Sequence, residues 1–287
     1  MKYQDAASFR RAIENRIANE VHGDQRLTLW RRRSIAFDRV IARIVHVAPD
    51  GFYLKGGLAL AYRFGDVVRR TVDMDFAAGS IERMREIIRS SVATSLDDFF
   101  ELRIASEPTE ALIEDEGIVA YRWAIEVLLA GRRFERVTID VGVDSSSYSG
   151  KLQRIRTQSI LAFADIPPTE ILVIPLEQHI AEKLHAYVRS YGDAQSTRVK
   201  DLVDLVLLSH MGIDLDPATL RGAIDETFAA RKTSIIPSEL PLPPEHWRVT
   251  YTTLSEGLDI PNDIAVAHRE AAAMLQAALN FQPSNEP

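Results

Sequence analysis

The chain has 287 residues, with 46% apolar side chains, 34 Lys+Arg against 41 Asp+Glu, 14 Gly, 13 Pro and no Cys. That composition belongs to globular proteins, and the missing cysteine excludes disulfide staples, thiolate zinc sites, iron–sulfur clusters and cysteine nucleophiles. A net charge of −7 argues against indiscriminate nucleic-acid binding, and no stretch approaches the roughly 20 apolar residues of a membrane span. The first residues, MKYQDAASFRRAIENR, hold no apolar signal core, so a cytoplasmic protein with no membrane partner is expected.

Charge is distributed unevenly. Residues 1–70 carry 14 Lys+Arg against 7 Asp+Glu, and the remainder carries 20 against 34. Residues 6–48 read as two helices, with Phe9, Ile13 and Ile17 in the first and Ile35, Val40, Ile41, Ile44 and Val45 in the second at helical spacing. Trp30-Arg31-Arg32-Arg33 lies at or before the second helix. Such a cluster is either a solvated helix face or an arm for a phosphate backbone. Phe52-Tyr53-Leu54 then reads as a strand, Lys55-Gly56-Gly57 as a turn and Leu58–Tyr62 as a helix. That order brings backbone N–H groups and a helix N-terminus towards an anion.

From Arg69 to Phe76 polar and apolar residues alternate, which predicts a strand with Asp73 and Asp75 on one face. Residues 81–98 read as an amphipathic helix. Ala120–Leu129 and Val137–Val143 read as strands, the second with Thr138, Asp140 and Gly142 on its polar face. Ile166-Pro167-Pro168 marks a boundary, giving lobes at 1–166 and 167–287. Helices are expected near 176–191, 198–209 and 262–280, with a Pro-rich stretch at Ile236–Pro244.

Two carboxylates on one strand and a third on another supply hard oxygen ligands for divalent cations, although an Asp-x-Asp pair alone is more often a solvated strand face. Lys183 lies beside the apolar stripe of Ile180, Leu184 and Tyr187. It is either placed to reach a phosphate or a surface lysine lying over that stripe. Asp201 and Asp204, three apart on the next helix, are either solvated or orient Lys183. Neither His-Glu-x-x-His, Gly-x-Ser-x-Gly nor a Walker A run occurs.

Strand, Gly-Gly, helix, strand, Asp-x-Asp and a third strand Asp resemble the signature of the DNA polymerase beta nucleotidyltransferase superfamily. The 15 residues between Gly57 and Asp73 are slightly more than usual there, and Leu58 stands where Ser often follows the glycine. Lys55-Gly56-Gly57, Arg69-x-Thr71-x-Asp73-x-Asp75-Phe76, Glu182-Lys183-Leu184-His185-Ala186 and Arg198-x-Lys200-Asp201-Leu202-x-Asp204-Leu205 together look like the AbiEii-type toxins, MenT toxins included. His246-Trp247…Tyr251…Glu256-Gly257-Leu258-Asp259 is similar to the C-terminal part of the MenT type.

The resemblance implies an α+β fold, with a nucleotidyltransferase-like mixed-sheet lobe followed by a largely helical lobe. It implies a toxin of a toxin–antitoxin system that transfers NMP from an NTP, with a pyrimidine NTP as the candidate, to the 3′ acceptor end of tRNA. Pyrophosphate is released and translation blocked. Asp73, Asp75 and Asp140 would hold Mg²⁺ or Mn²⁺. Lys55, Gly56, Gly57, Arg69 and Thr71 would bind the nucleotide, and Asp73, Asp75, Lys183 and Asp204 would be catalytic. Thr71 would bind phosphate or be phosphorylated, and an AbiEi-like antitoxin would be the partner. Arg31, Arg32, Arg33, Arg43 and Arg69 are the candidates for holding tRNA. The alternatives are a small-molecule nucleotidyltransferase and a non-catalytic module that sequesters a partner.

Overall fold

A computed structural model describes residues 1–108, 112–114, 118–143, 152–189, 198–231 and 235–281. In chain order, the helices are α1 (Ala6–Val21), α2 (Gln25–Val47), α3 (Gly56–Phe64), α4 (Ile81–Ala93), α5 (Leu176–Val188), α6 (Val199–His210), α7 (Pro217–Arg231), α8 (Trp247–Ser255) and α9 (Ile264–Leu279). The strands are β1 (Tyr53–Lys55), β2 (Asp73–Ala78), β3 (Phe100–Ser106), β4 (Leu112–Glu114), β5 (Ile118–Leu129), β6 (Arg132–Val143), β7 (Gln153–Arg156) and β8 (Glu170–Val173). The chain divides into two compact units. One takes most of residues 1–173, and the other takes Asp66–Arg69 and the chain from Ile174. The division falls after β8 rather than at residue 166, because β8 pairs with β1 and so belongs to the sheet.

The first unit is built on an eight-stranded mixed sheet in the order β3-β5-β6-β2-β1-β8-β7, with β4 paired to β5. β2 and β6 run parallel in unbroken register from Asp73↔Thr138 to Ala78↔Val143, and β5 pairs antiparallel with β6. Alternation then fixes the faces. Leu54, Met74, Phe76, Trp123, Ile139 and Val141 are fully buried, while Asp73, Asp75, Thr138 and Asp140 on the other face are only half-buried. Helices α2 and α4 pack on each other and on β6.

The N-terminal helices end up as structural parts of this unit. Asp5 and Asp24 cap α1 and α2 by accepting from Ser8 N, and from Arg26 N and Leu27 N. Arg10 donates to the carbonyls of Leu129 and Arg132, fastening α1 to the β5–β6 turn. Arg43 is wholly buried, and both Asp98 oxygens and the Thr94 and Phe100 carbonyls accept from it. Arg39 joins Asp38 to Asp98, and Thr157 donates to Asp38 at 2.6 Å.

This corrects one of the expected docking residues. Arg43 cannot belong to an exposed face. Arg31 pairs with Glu20, while Arg32 donates to the Phe134 carbonyl at 3.0 Å and lies over its ring. Part of the local excess of arginine is used to satisfy carbonyls and carboxylates of the fold. The helix expected over 81–98 also stops early, at Ala93. Asp97 and Phe99 then turn into the left-handed region, at φ 53° and 60°, and release the chain into β3.

In the second unit α6 is central, with Leu202–Leu208 buried all round and α5, α8 and α9 packed on it. The tyrosine hydroxyls close its loops, Tyr187 donating to the Pro241 carbonyl at 2.6 Å and Tyr251 to that of Pro261 at 2.9 Å. Trp247 meets Tyr187 edge-on. The helices near 176–191, 198–209 and 262–280 are present within a few residues of their expected bounds, as α5, α6 and α9. Among the described residues, no helix is long and apolar enough to cross a membrane.

Candidate active site

Two groups of candidate residues form, one in each unit. In the first, backbone register sets up a row across four adjacent strands. Lys55 on β1 stands opposite Asp75 on β2, Asp75 beside Asp140 on β6, and Asp140 opposite Arg122 on β5. Side chains directly paired across strands share a face. The row is therefore cation, carboxylate, carboxylate, cation, with Asp73 two residues from Asp75 on the same face.

Gly56 makes the turn possible. Its φ is +66°, and a methyl group there would stand 1.9 Å from Asp75 Oδ2 and 2.7 Å from its Cγ. Conformation and space each demand glycine, so the turn and the Asp75 carboxylate are in contact. Gly57 is the buried second residue of α3. Lys55 extends along the polar face until its Nζ lies 3.8 Å from where a Gly142 Cβ would be. Thr71 is buried, and its hydroxyl donates to the Asp73 carbonyl at 3.3 Å.

Asp140 is held by Arg122. The guanidinium Nε donates to Oδ1 and Nη2 to Oδ2, both at 2.7 Å. Hydrogen bonding to Asp140, then the charges of Asp140, Asp73 and Asp75, raise the Arg122 pKa further above its ordinary value. All three candidate carboxylates thus act on one cation. Among the described residues, no three acidic or histidine side chains stand close enough together to make a ready cation site. The donor set still suits a hard divalent ion, because the carboxylates share a face that already draws a positive charge to itself. Asp73, Asp75 and Asp140 would be its holders.

The second group lies inside the helical unit. Arg69 donates in bidentate fashion to Asp204, at 2.7 and 2.8 Å. Lys183 donates to the same carboxylate and, at 3.4 Å, to Asp201. Lys183, Asp201 and Asp204 are all buried, so Lys183 is no surface lysine. Burial opposes the charge on Asp204, but Lys183 and Arg69 outweigh it and bring the carboxyl down to about 2. For Lys183 burial likewise works against the charge, yet Asp204 and Asp201 raise its pKa. Of the expected nucleotide-binding residues, Arg69 therefore has its side chain on Asp204.

Sequence reasoning missed Arg122. The alternation of Trp123, Ile125 and Val127 puts Arg122 on the polar face of its strand, but only the β5–β6 register identifies Asp140 as its partner.

Comparison with known proteins gives a consistent result. The sequence model of a family described as nucleotidyl transferase AbiEii toxin, type IV toxin–antitoxin system, matches residues 39–276. MenT4, a nucleotidyltransferase toxin from Mycobacterium tuberculosis, superposes with a TM-score of 0.65 at 16% identity, covering 94% of this chain and 90% of its own. Two structures from Helicobacter pylori also match. A putative nucleotidyltransferase does so with a TM-score of 0.46, 13% identity and coverage of 86% and 94%, and JHP933 with 0.47, 14%, 86% and 91%. No match is found among curated protein sequences. At these identities the structural likeness is one of fold.

One prediction concerns acid. His185 is buried against the edge of Phe228. Burial, then the charges of Arg231 and Arg189, lower its pKa from 6.5 to about 4. Between those values the unfolded chain binds more protons than the folded one, so stability falls as pH drops through the window, by about 3 kcal/mol. Asp204 contributes stability above pH ~4 that is lost as pH falls towards 2, about 2 kcal/mol. Urea unfolding at a series of pH values should show the first loss between pH 6.5 and 4, and His185→Gln should flatten it. A wild-type profile that is level down to pH 4 would contradict the neutral, buried His185.

Proposed function

Because the chain belongs to the AbiEii nucleotidyl transferase toxin family of type IV toxin–antitoxin systems, we propose that it transfers NMP from an NTP to the 3′ acceptor end of tRNA, with loss of pyrophosphate. The observation that carries the reading is the row Lys55–Asp75–Asp140–Arg122 with Asp73 on the same face. Crowded carboxylates repel one another and serve no packing purpose on a half-buried face. Holding a cation for phosphoryl chemistry accounts for them.

In this reading Asp73, Asp75 and Asp140 hold Mg²⁺ or Mn²⁺, which when bound supplies positive charge for the triphosphate and lowers the pKa of the attacking hydroxyl. Lys55 places an ammonium over β6 beside the carboxylates, where it draws in phosphate oxygens as a point charge. Gly56 and Gly57 keep the backbone beside Asp75 free of side chains, so that phosphate can approach the N-terminus of α3. The reading also includes an AbiEi-like antitoxin as partner and cytoplasmic action.

The acceptor is the finer point. With Arg43 buried and Arg31 and Arg32 engaged within the fold, the N-terminal arginines no longer single out a phosphate-binding face. That observation favours keeping a small hydroxylated acceptor as the second reading. Incubating the protein with each labelled NTP, Mg²⁺ and either total tRNA or small polyols and aminoglycosides decides between them. Label should enter tRNA, and Asp73→Ala should lower transfer at least ~10²-fold while its metal-free melting temperature stays level or rises. Efficient labelling of small acceptors but not of tRNA would replace the first reading by the second, and an Asp73→Ala protein with full transfer would remove the carboxylate site.

Lys183 and Asp204 are proposed to take part in transfer, but their burial adds a structural role. Breaking one partner of a buried ion pair costs about 3–5 kcal/mol, so Lys183→Ala should lower both stability and transfer. Lys183→Arg keeps the charge and should recover part of each. Equal transfer per folded molecule in wild type and Lys183→Ala would confine Lys183 to holding Asp204.

A further inference from the structure

The end of the row on β5 has a property that the three carboxylates do not explain. Asp140 gives both its oxygens to one guanidinium, and that guanidinium comes from a residue whose side chain is 55% exposed, against 19% for Asp140. Arg122 thus approaches from the solvent edge and covers the carboxylate that lies directly beside Asp75. Asp73 and Asp75 also act on its charge. Strand register places it directly opposite Asp140.

We infer that Arg122 is the built-in counter-ion of this carboxylate face: in the cation-free protein it neutralises Asp140, and a divalent cation must displace it to gain that ligand. The inference rests on the cation-holding reading given above. A guanidinium and a hard divalent cation compete for the same two oxygens, since each is satisfied by carboxylate lone pairs. Exposure makes the exchange cheap. An ion pair at the solvent edge is worth little, because water receives the released guanidinium.

Two consequences separate this role from a merely structural salt bridge. Removing Arg122 takes away a competitor and a like charge, so cation affinity rises. It also leaves the carboxylates to repel one another, so the cation-free protein loses stability and regains more when the cation binds. A surface salt bridge with no link to a cation would give the stability loss without the gain in affinity.

Mn²⁺ binding, followed by the electron paramagnetic resonance signal of the free ion and without nucleotide, tests this on the full chain. Arg122→Gln should bind Mn²⁺ about tenfold more tightly than wild type, as expected when one positive charge a few ångströms away is removed. Arg122→Lys, which keeps the charge without the bidentate fork, should fall between the two. Melting in EDTA and in Mn²⁺ should show a larger cation-induced rise for Arg122→Gln than for wild type. Asp73→Asn serves as the control for the site. If Asp73→Asn loses the binding that wild type shows, and Arg122→Gln binds no more tightly than wild type, the counter-ion role is overturned and the carboxylate site stands. If no variant shows Mn²⁺ binding that depends on Asp73, the site reading fails and the counter-ion role fails with it.

Discussion

Everything on the polar face of the sheet follows from the way β2 lies beside β6. The two strands run parallel with Met74 beside Ile139 and Asp75 beside Asp140, and β6 carries the same alternation on to β5, where Trp123 faces Ile139 and Arg122 faces Asp140. A slip of one residue would turn every side chain of the moving strand to the opposite face. For β2 that would expose Met74 and Phe76, each worth about 1.5–3 kcal/mol of burial, and drive Asp73 and Asp75 into the apolar layer. Desolvating even one unpaired carboxylate costs more than such a side chain returns. The core therefore enforces the register, and the register in turn sets the carboxylates side by side. The charged face is a consequence of packing on the other side of the sheet.

The helical unit handles charge in the opposite way. Its ion cluster is buried, and each member is tied to a specific partner: Arg69 to Asp204 by two bonds, and Lys183 to both Asp204 and Asp201. Burying charges is expensive, so such a cluster persists only where the attractions within it outweigh desolvation. Asp204, lowered to about 2 despite burial, shows that attraction wins there. On the sheet, the carboxylates share a half-buried face and one solvent-edge guanidinium balances Asp140. A buried cluster holds helices in place, whereas carboxylates on a half-buried face lie within reach of a charged ligand from solvent.

Much of this was readable in advance, and what was missed has physical reasons. Period-two alternation at Arg69–Phe76 and Val137–Val143 located two strands and their polar faces, because burial of one sheet face leaves that imprint, although β2 begins only at Asp73 and β6 already at Arg132. The Lys55-Gly56-Gly57 turn was readable too, though not its reason, a 1.9 Å approach that excludes any Cβ beside Asp75. In β3, Phe100, Leu102 and Ile104 alternate with Glu101 and Arg103, a period-two signal that goes unread between the helix expected to end at 98 and the strand expected from Ala120. Strands β4, β7 and β8 are three or four residues long, too short to show a period. Helix α7 begins at Pro217, with Asp216 accepting from Thr219 N, a start signal available to sequence alone. Arg122 was beyond reach, because the β5–β6 hairpin shifts register between Val127 and Leu128, and counting back from the turn misplaces the partner of Asp140. Net charge over a segment does not say which of its cations are used inside the fold. Arg43, one of the docking candidates, is wholly buried.

The central claim is that Asp73, Asp75 and Asp140 form one cation-holding face, and paramagnetic broadening tests it most directly. Substoichiometric Mn²⁺ added to isotopically labelled protein should broaden first the amide signals of residues 73–75, 138–140 and 55–56, ahead of those beside the other acidic residues of the sheet unit. Broadening that begins elsewhere in the chain, or spreads evenly over the surface acids, would contradict the account.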